Sequence, residues 1–95
     1  MTTKLEKFKK EMEPAKKIYT NEIKKFAENY DFLGEMVLRE EPDIDTQDHI
    51  FIFEKLNGTS EDVLDKTLTE IYDHMAQFSK ENGIDTFCRN ASVWL

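Results

Sequence analysis

Residues 49–53 read His-Ile-Phe-Ile-Phe. In an extended strand successive side chains point to opposite faces. Ile50 and Ile52 therefore go one way and Phe51 and Phe53 the other, so neither face is polar. An antiparallel strand with one wet face alternates apolar and polar residues. This strand does not, and something must cover both of its sides. The candidates are helices, the chain's own Val93-Trp94-Leu95, or a second subunit.

The flanking segments supply a sheet and two helices. Residues 32–40 predict a strand, with Phe32, Met36 and Leu38 on one face and Leu33, Glu35, Val37 and Arg39 on the other. Residues 41–48, led by Pro42, predict the loop of an antiparallel hairpin over 32–56. Residues 3–30 predict a basic amphipathic helix, because Leu5, Phe8, Met12, Ala15, Tyr19, Ile23, Phe26 and Tyr30 fall on one stripe. Pro14 lies on the polar side of that helix. It either kinks the helix or marks the first turn of one starting near Glu13.

Residues 59–82 predict a second helix. Thr59 and Asp62 fit a capping box, Leu64, Leu68, Ile71, Met75 and Phe78 form the apolar stripe, and Gly83 ends it. Residues 84–95 predict a final strand, or two short ones broken at Arg89-Asn90. The order is α-β-β-α-β. It predicts one α+β domain over residues 1–95, with two helices packed on a small, mainly antiparallel three-stranded sheet. The order resembles a ferredoxin-like βαββαβ domain without its first strand, a likeness of fold that carries no function.

The formal charge of −7 is unevenly spread. Residues 1–30 hold eight Lys against five Glu, whereas residues 31–95 hold five Lys or Arg against fifteen Asp or Glu. The lysines surround the polar side of the first helix without clustering, and the acidic remainder opposes a polyanion, so nucleic acid is not expected. No apolar run approaches a membrane span, and docking of the first helix on its own domain is expected ahead of a membrane surface. A single cysteine, Cys88, cannot form an intrachain disulfide. With no hydrophobic signal core at the N-terminus, this predicts a cytoplasmic protein.

Acidic charge is densest between Glu40 and Asp48, where Glu40, Glu41, Asp43, Asp45 and Asp48 stand without a basic residue. From Asp43 the run partly follows a calcium-binding EF-hand loop, with Asp45 at its third position and Glu54 at its twelfth. Asp48 stands where the turn glycine belongs, however, and the following segment prefers strand to helix. A solvated hairpin tip, or one that meets a basic partner, fits better. The soft metal ligands are His49, His74 and Cys88, and no two are close in sequence. For each there is an ordinary role: His74 four residues after Glu70 on a helix, His49 at the start of a strand, and Cys88 as a small buried hydrophobe.

No phosphate-binding glycine loop, nucleophile elbow or H-E-x-x-H motif occurs. The sequence therefore predicts a non-catalytic, cofactor-free protein-interaction module, a homodimer, of the kind that acts as an inhibitor or regulator of a basic partner. Its expected contact residues are Glu40, Glu41, Asp43, Asp45, Asp48, Phe51 and Phe53. One alternative is a calcium- or metal-responsive protein using Asp43, Asp45 and Glu54, or His49, His74 and Cys88. The other is a small enzyme with its site at a dimer interface and His49 or His74 as acid–base group.

Overall fold

The computed structural model describes residues 4–42 and 47–95, apart from the side chains of Leu5, Phe8 and Pro42. Helix α1 covers Lys4–Ala27 and runs through Pro14 without interruption. The proline sits on the exposed side, where its ring does not disturb packing. Beyond Pro14 the predicted stripe faces the core, with Tyr19 and Ile23 buried and Ala15, Phe26 and Tyr30 partly buried; Ala27, outside that stripe, is buried as well. The helix stops three residues earlier than expected. Asn29 donates from both its backbone N–H and its Nδ2 to the Phe26 carbonyl, and Tyr30 N–H takes the Ala27 carbonyl, so the last orphan acceptors are satisfied by a turn.

Strand β1 (Leu33–Pro42) pairs antiparallel with β2 (Gln47–Lys55). The ladder reaches further toward the acidic tip than the sequence predicts, with Glu41 opposite Asp48 and Pro42 opposite Gln47. Near its start β1 carries a bulge: Leu33 faces Lys55 but Met36 faces Phe53, so three steps on one strand match two on the other. The bulge returns Leu33 to the core side with Met36 and Leu38, where strict alternation would have placed it beside the exposed Val37.

Helix α2 covers Glu61–Glu81. Its N-cap is Ser60, whose hydroxyl accepts from Val63 N–H at 3.3 Å, one residue later than the predicted capping box. Thr59 instead donates to the Leu56 carbonyl at 2.7 Å and closes the preceding turn. The helix ends in a Schellman motif, with Ile84 N–H on the Ser79 carbonyl, Gly83 N–H on the Lys80 carbonyl and Gly83 at φ +68°. Its buried face is Thr67, Ile71, Met75 and Ser79, flanked by the partly buried Leu68 and Phe78.

The final segment is not one strand. Residues Asp85–Arg89 form a short helix, α3, and only Ala91–Trp94 form strand β3. The reason is visible in retrospect: Ile84, Phe87 and Cys88 are spaced three and four apart and pack together toward the core. A strand would have split that set across two faces. Asn90 ends α3 by donating from Nδ2 to the Thr86 carbonyl and from its N–H to the Phe87 carbonyl.

Strand β3 pairs parallel with β2, giving the order β1-β2-β3 and a mixed sheet with one antiparallel and one parallel pair. The β2-α2-β3 crossover is a plain βαβ unit, with no strand inserted between the parallel pair. The α+β class and the α-β-β-α-β order are as the sequence predicts, with α3 added. The core lies on one side of the sheet. There Phe51, Phe53 and Val93 meet Tyr19 and Ile23 of α1, Ile71 and Met75 of α2, and Phe87 of α3. Tyr19 sits 5.0 Å from Phe51 and 5.2 Å from Phe87, ring centre to ring centre. No helix among the described residues is long and apolar enough to cross a membrane.

Candidate functional site

The one-sided packing decides what surface the sheet offers. Phe51 and Phe53 are 0% and 3% exposed and sit under the helices. As contact residues they are therefore corrected: they belong to the core, and Ile50 and Ile52 occupy the opposite, open face. That face also carries Val37 and Trp94, 61% and 50% exposed, which flank Ile52 in register on either side.

Arg39 partly roofs the open face. It pairs with Ile50 in the ladder, and its guanidinium carbon lies 5.4 Å from the centre of the Trp94 ring on β3. To reach Trp94 from β1 the side chain must cross β2, so its stem lies over Ile50, which is buried although no helix covers it. Of the C-terminal residues that the sequence offers as cover, only Trp94 lies on this face; Val93 and Leu95 pack on the core side. Arg39 also pairs with Glu41 at 3.0 Å, two residues along the same face.

The acidic end of the hairpin divides into two environments. Asp43 and Asp45 lie outside the described residues. Glu41 and Asp48, opposite one another, are exposed. Glu40, on the other face, is tied inward: Lys16 of α1 forms an ion pair with its Oε1, and Gln47 Nε2 donates to Oε2 at 2.9 Å. His49 Nε2 lies 3.7 Å from Oε1. The hydrogen bond from Lys16 holds the Glu40 carboxyl below the usual carboxylate range, and Glu40 in turn raises the Lys16 ammonium.

His49 is 2% exposed and lies 4.6 Å from the Phe87 ring. Burial pushes its imidazole below the ordinary histidine value; Glu40 and a weak contact with the Gln47 backbone oppose that shift, while Lys16 reinforces it. Its Nδ1 makes no hydrogen bond of ordinary geometry. The imidazole is neutral near pH 7 and faces protein, not solvent. His74 stacks on Phe26 with ring centres 4.0 Å apart and planes 4° from parallel. Its Nε2 comes within 3.5 Å of Glu22 without hydrogen-bond geometry. Neither histidine lines the main depressions of the surface.

Asp43 and Asp45 aside, the metal candidates do not converge. Among the described residues no three His, Cys, Asp or Glu side chains form a group able to hold an ion. Cys88 is half-buried on α3, not in a strand as predicted. Glu54 is exposed on β2, its carboxylate over the site of Gly34 at the bulge.

The two edges of the sheet differ. On β3 the Tyr72 hydroxyl donates to the Val93 carbonyl at 3.1 Å and accepts from Val93 N–H at 3.0 Å, so a side chain of α2 occupies the edge. On β1, residues 34–42 make no backbone hydrogen bonds among the described residues except those to β2. Sequence reasoning missed Lys16, Arg39, Gln47 and Tyr72 in these roles and named Trp94 only as part of the C-terminal segment that could cover β2. Only the Arg39–Glu41 pair had a local signal, opposite charges two apart on one strand.

Comparison of the chain with protein-family models, with curated proteins and with solved structures finds no match.

Proposed function

We propose that this chain is a small, acidic protein-interaction module of the cytoplasm, without catalytic activity of its own. It works through the open face of its sheet and the acidic end of its hairpin, and it self-associates. The observation that carries the reading is the one-sided architecture. Three helices pack on one face, while Val37, Ile52 and Trp94 line up across three strands on the other. A line of apolar side chains that includes a tryptophan, rimmed by Arg39, Glu41 and Asp48, has the composition of a protein contact: apolar and aromatic groups inside, charge at the rim.

The charge distribution supports a basic partner. Lys16 offsets Glu40 and Arg39 offsets Glu41 within the chain, but Asp48 has no ion pair among the described residues. Charged groups of this kind steer association more than they hold it. The test is affinity capture with three forms: the native chain, a Glu41→Lys/Asp48→Lys form, and Trp94→Ala. A basic protein retained by the native chain, lost with salt and with either variant, supports the reading. Recovery of only nucleic acid, or equal capture by all three forms, overturns it.

A further inference from the structure

We propose that two copies of this chain join through the free edge of β1, antiparallel about Val37, into one six-stranded sheet. The inference rests on the interaction-module reading and specifies its self-association. Three observations carry it. First, the sheet has one occupied edge and one open edge. Tyr72 takes both backbone groups of Val93 on β3, whereas the outer groups of β1 meet no other backbone among the described residues. A ten-residue strand left in that state is a template for another strand.

Second, the charges on β1 select one register. A two-fold axis perpendicular to a continuous sheet keeps each face on its own side, so the axis must pass through a residue of β1 and its own copy. Centred on Val37, the axis sets Arg39 opposite Glu35 of the second copy, twice, and Leu38 opposite Met36. Centred one residue later, it sets Glu41 opposite Glu35, twice, and like charges directly opposite destabilise a ladder. Centred one residue earlier, it sets the apolar Val37 opposite Glu35. Glu35 is exposed and makes no ion pair among the described residues, so its carboxylate is available to that arginine. In the single chain the Arg39 guanidinium points across β2 to Trp94, so pairing with Glu35 of the second copy requires it to leave that ring and turn toward the free edge of β1.

Third, the bulge fixes the length of the junction. Regular pairing on β1 begins after the irregularity between Leu33 and Met36. A regular pairing symmetric about Val37 that starts at Met36 ends at Leu38, flanked by Glu35, within the irregular stretch, and by Arg39, the two residues whose charges match. The two Val37 side chains then meet on the open face and extend the line formed by Ile52 and Trp94 across both subunits.

Val37→Cys in a Cys88→Ser background tests the register. Directly opposite Cβ atoms lie about 4.5–5.5 Å apart, within reach of a disulfide after small adjustment. Mild oxidation should crosslink Val37→Cys and leave Trp94→Cys, in the same background, uncrosslinked. Glu35→Arg should weaken the dimer about tenfold or more by placing two arginine pairs face to face, and Glu35→Arg/Arg39→Glu should restore it, both read by sedimentation. A dimer that crosslinks through Trp94→Cys instead, or that ignores both charge changes, overturns the edge junction while the module reading stands. A monomer at every concentration overturns the junction and the self-association together; the capture experiment with a basic partner then decides the remainder of the reading.

Discussion

Arg39 lies over the ring of Trp94, its guanidinium carbon 5.4 Å from the ring centre, although the two residues sit on the outer strands of the sheet with β2 between them. The contact puts an arginine stem over Ile50 and leaves Val37 and half of Trp94 in water. Arg39→Ala should therefore cost both the cation–π contact, about 0.5–1 kcal/mol at an exposed site, and the cover over Ile50. Trp94 is the sole tryptophan, so its fluorescence reports the change directly. Urea unfolding of Arg39→Ala, Trp94→Ala and the double variant should show coupling between the two positions. Strict additivity would mean that the arginine does not roof the face.

The hydroxyl of Tyr72 holds both backbone groups of Val93. Tyr72→Phe keeps the ring and removes only these two bonds. A backbone group left unpaired costs about 1–3 kcal/mol when buried, and Val93 is among the most buried residues of the chain. The variant should lose stability on that order, and the Val93 amide should exchange faster with solvent than in the native chain. Unchanged exchange at Val93 would show that β2 alone secures β3.

Acidification should weaken the fold in two stages, and the sign is set by the direction of each shift. The folded His49 imidazole titrates below its ordinary value of 6.5, so the unfolded chain takes up a proton first and stability falls as pH drops from about 6.5. The folded Glu40 carboxyl titrates below 4.5, so a second loss sets in below that pH as its bond with Lys16 is undone. Chemical unfolding followed from pH 7.5 to about pH 2.5 should show the first loss in the native chain and not in His49→Phe. Lys16→Met should blunt the second. A native chain whose stability is flat between pH 6.5 and 5 would contradict the burial of a neutral imidazole.

Gly83 holds φ +68° at the end of α2. A side chain there meets the left-handed penalty of about 1–2 kcal/mol, so Gly83→Ala should lower stability by roughly that amount in the same unfolding assay. Gly34 also lies close to Glu54, but its obstacle is the movable end of a side chain, 3.1 Å from an added Cβ. Gly34→Ala should cost less than Gly83→Ala.

Periodic elements were legible in the sequence, and long-range pairings were not. The stripe through Tyr19 and Ile23 and the doubly apolar β2 announced themselves through spacing alone, whereas the buried Ala27 did not. Thr67 and Ser79 on the buried face of α2 did not, because a hydroxyl scores as polar; Thr67 resolves this by donating back to the Val63 carbonyl at 2.7 Å. The three-and-four spacing of Ile84, Phe87 and Cys88 was present, but in five residues a helical period is easily taken for a strand. The bulge in β1 reversed the face of Leu33, a change of one residue that no alternation rule anticipates. At the candidate site, the density of acids around Glu40 was plain, yet Lys16 comes to Glu40 from another element, and nothing in the spacing of the two signals that contact. The same holds for Arg39 and Trp94, whose contact exists only because β3 lies parallel beside β2.

The central claim is that the uncovered side and free edge of the sheet are where this chain meets protein, beginning with its own copy. Light scattering on the purified native chain across a range of micromolar concentrations tests it most directly. The account predicts a mass rising to twice the 11.2 kDa of one chain, with salt weakening the rise because Glu35 and Arg39 contribute to it. A mass of one chain at every concentration would contradict it.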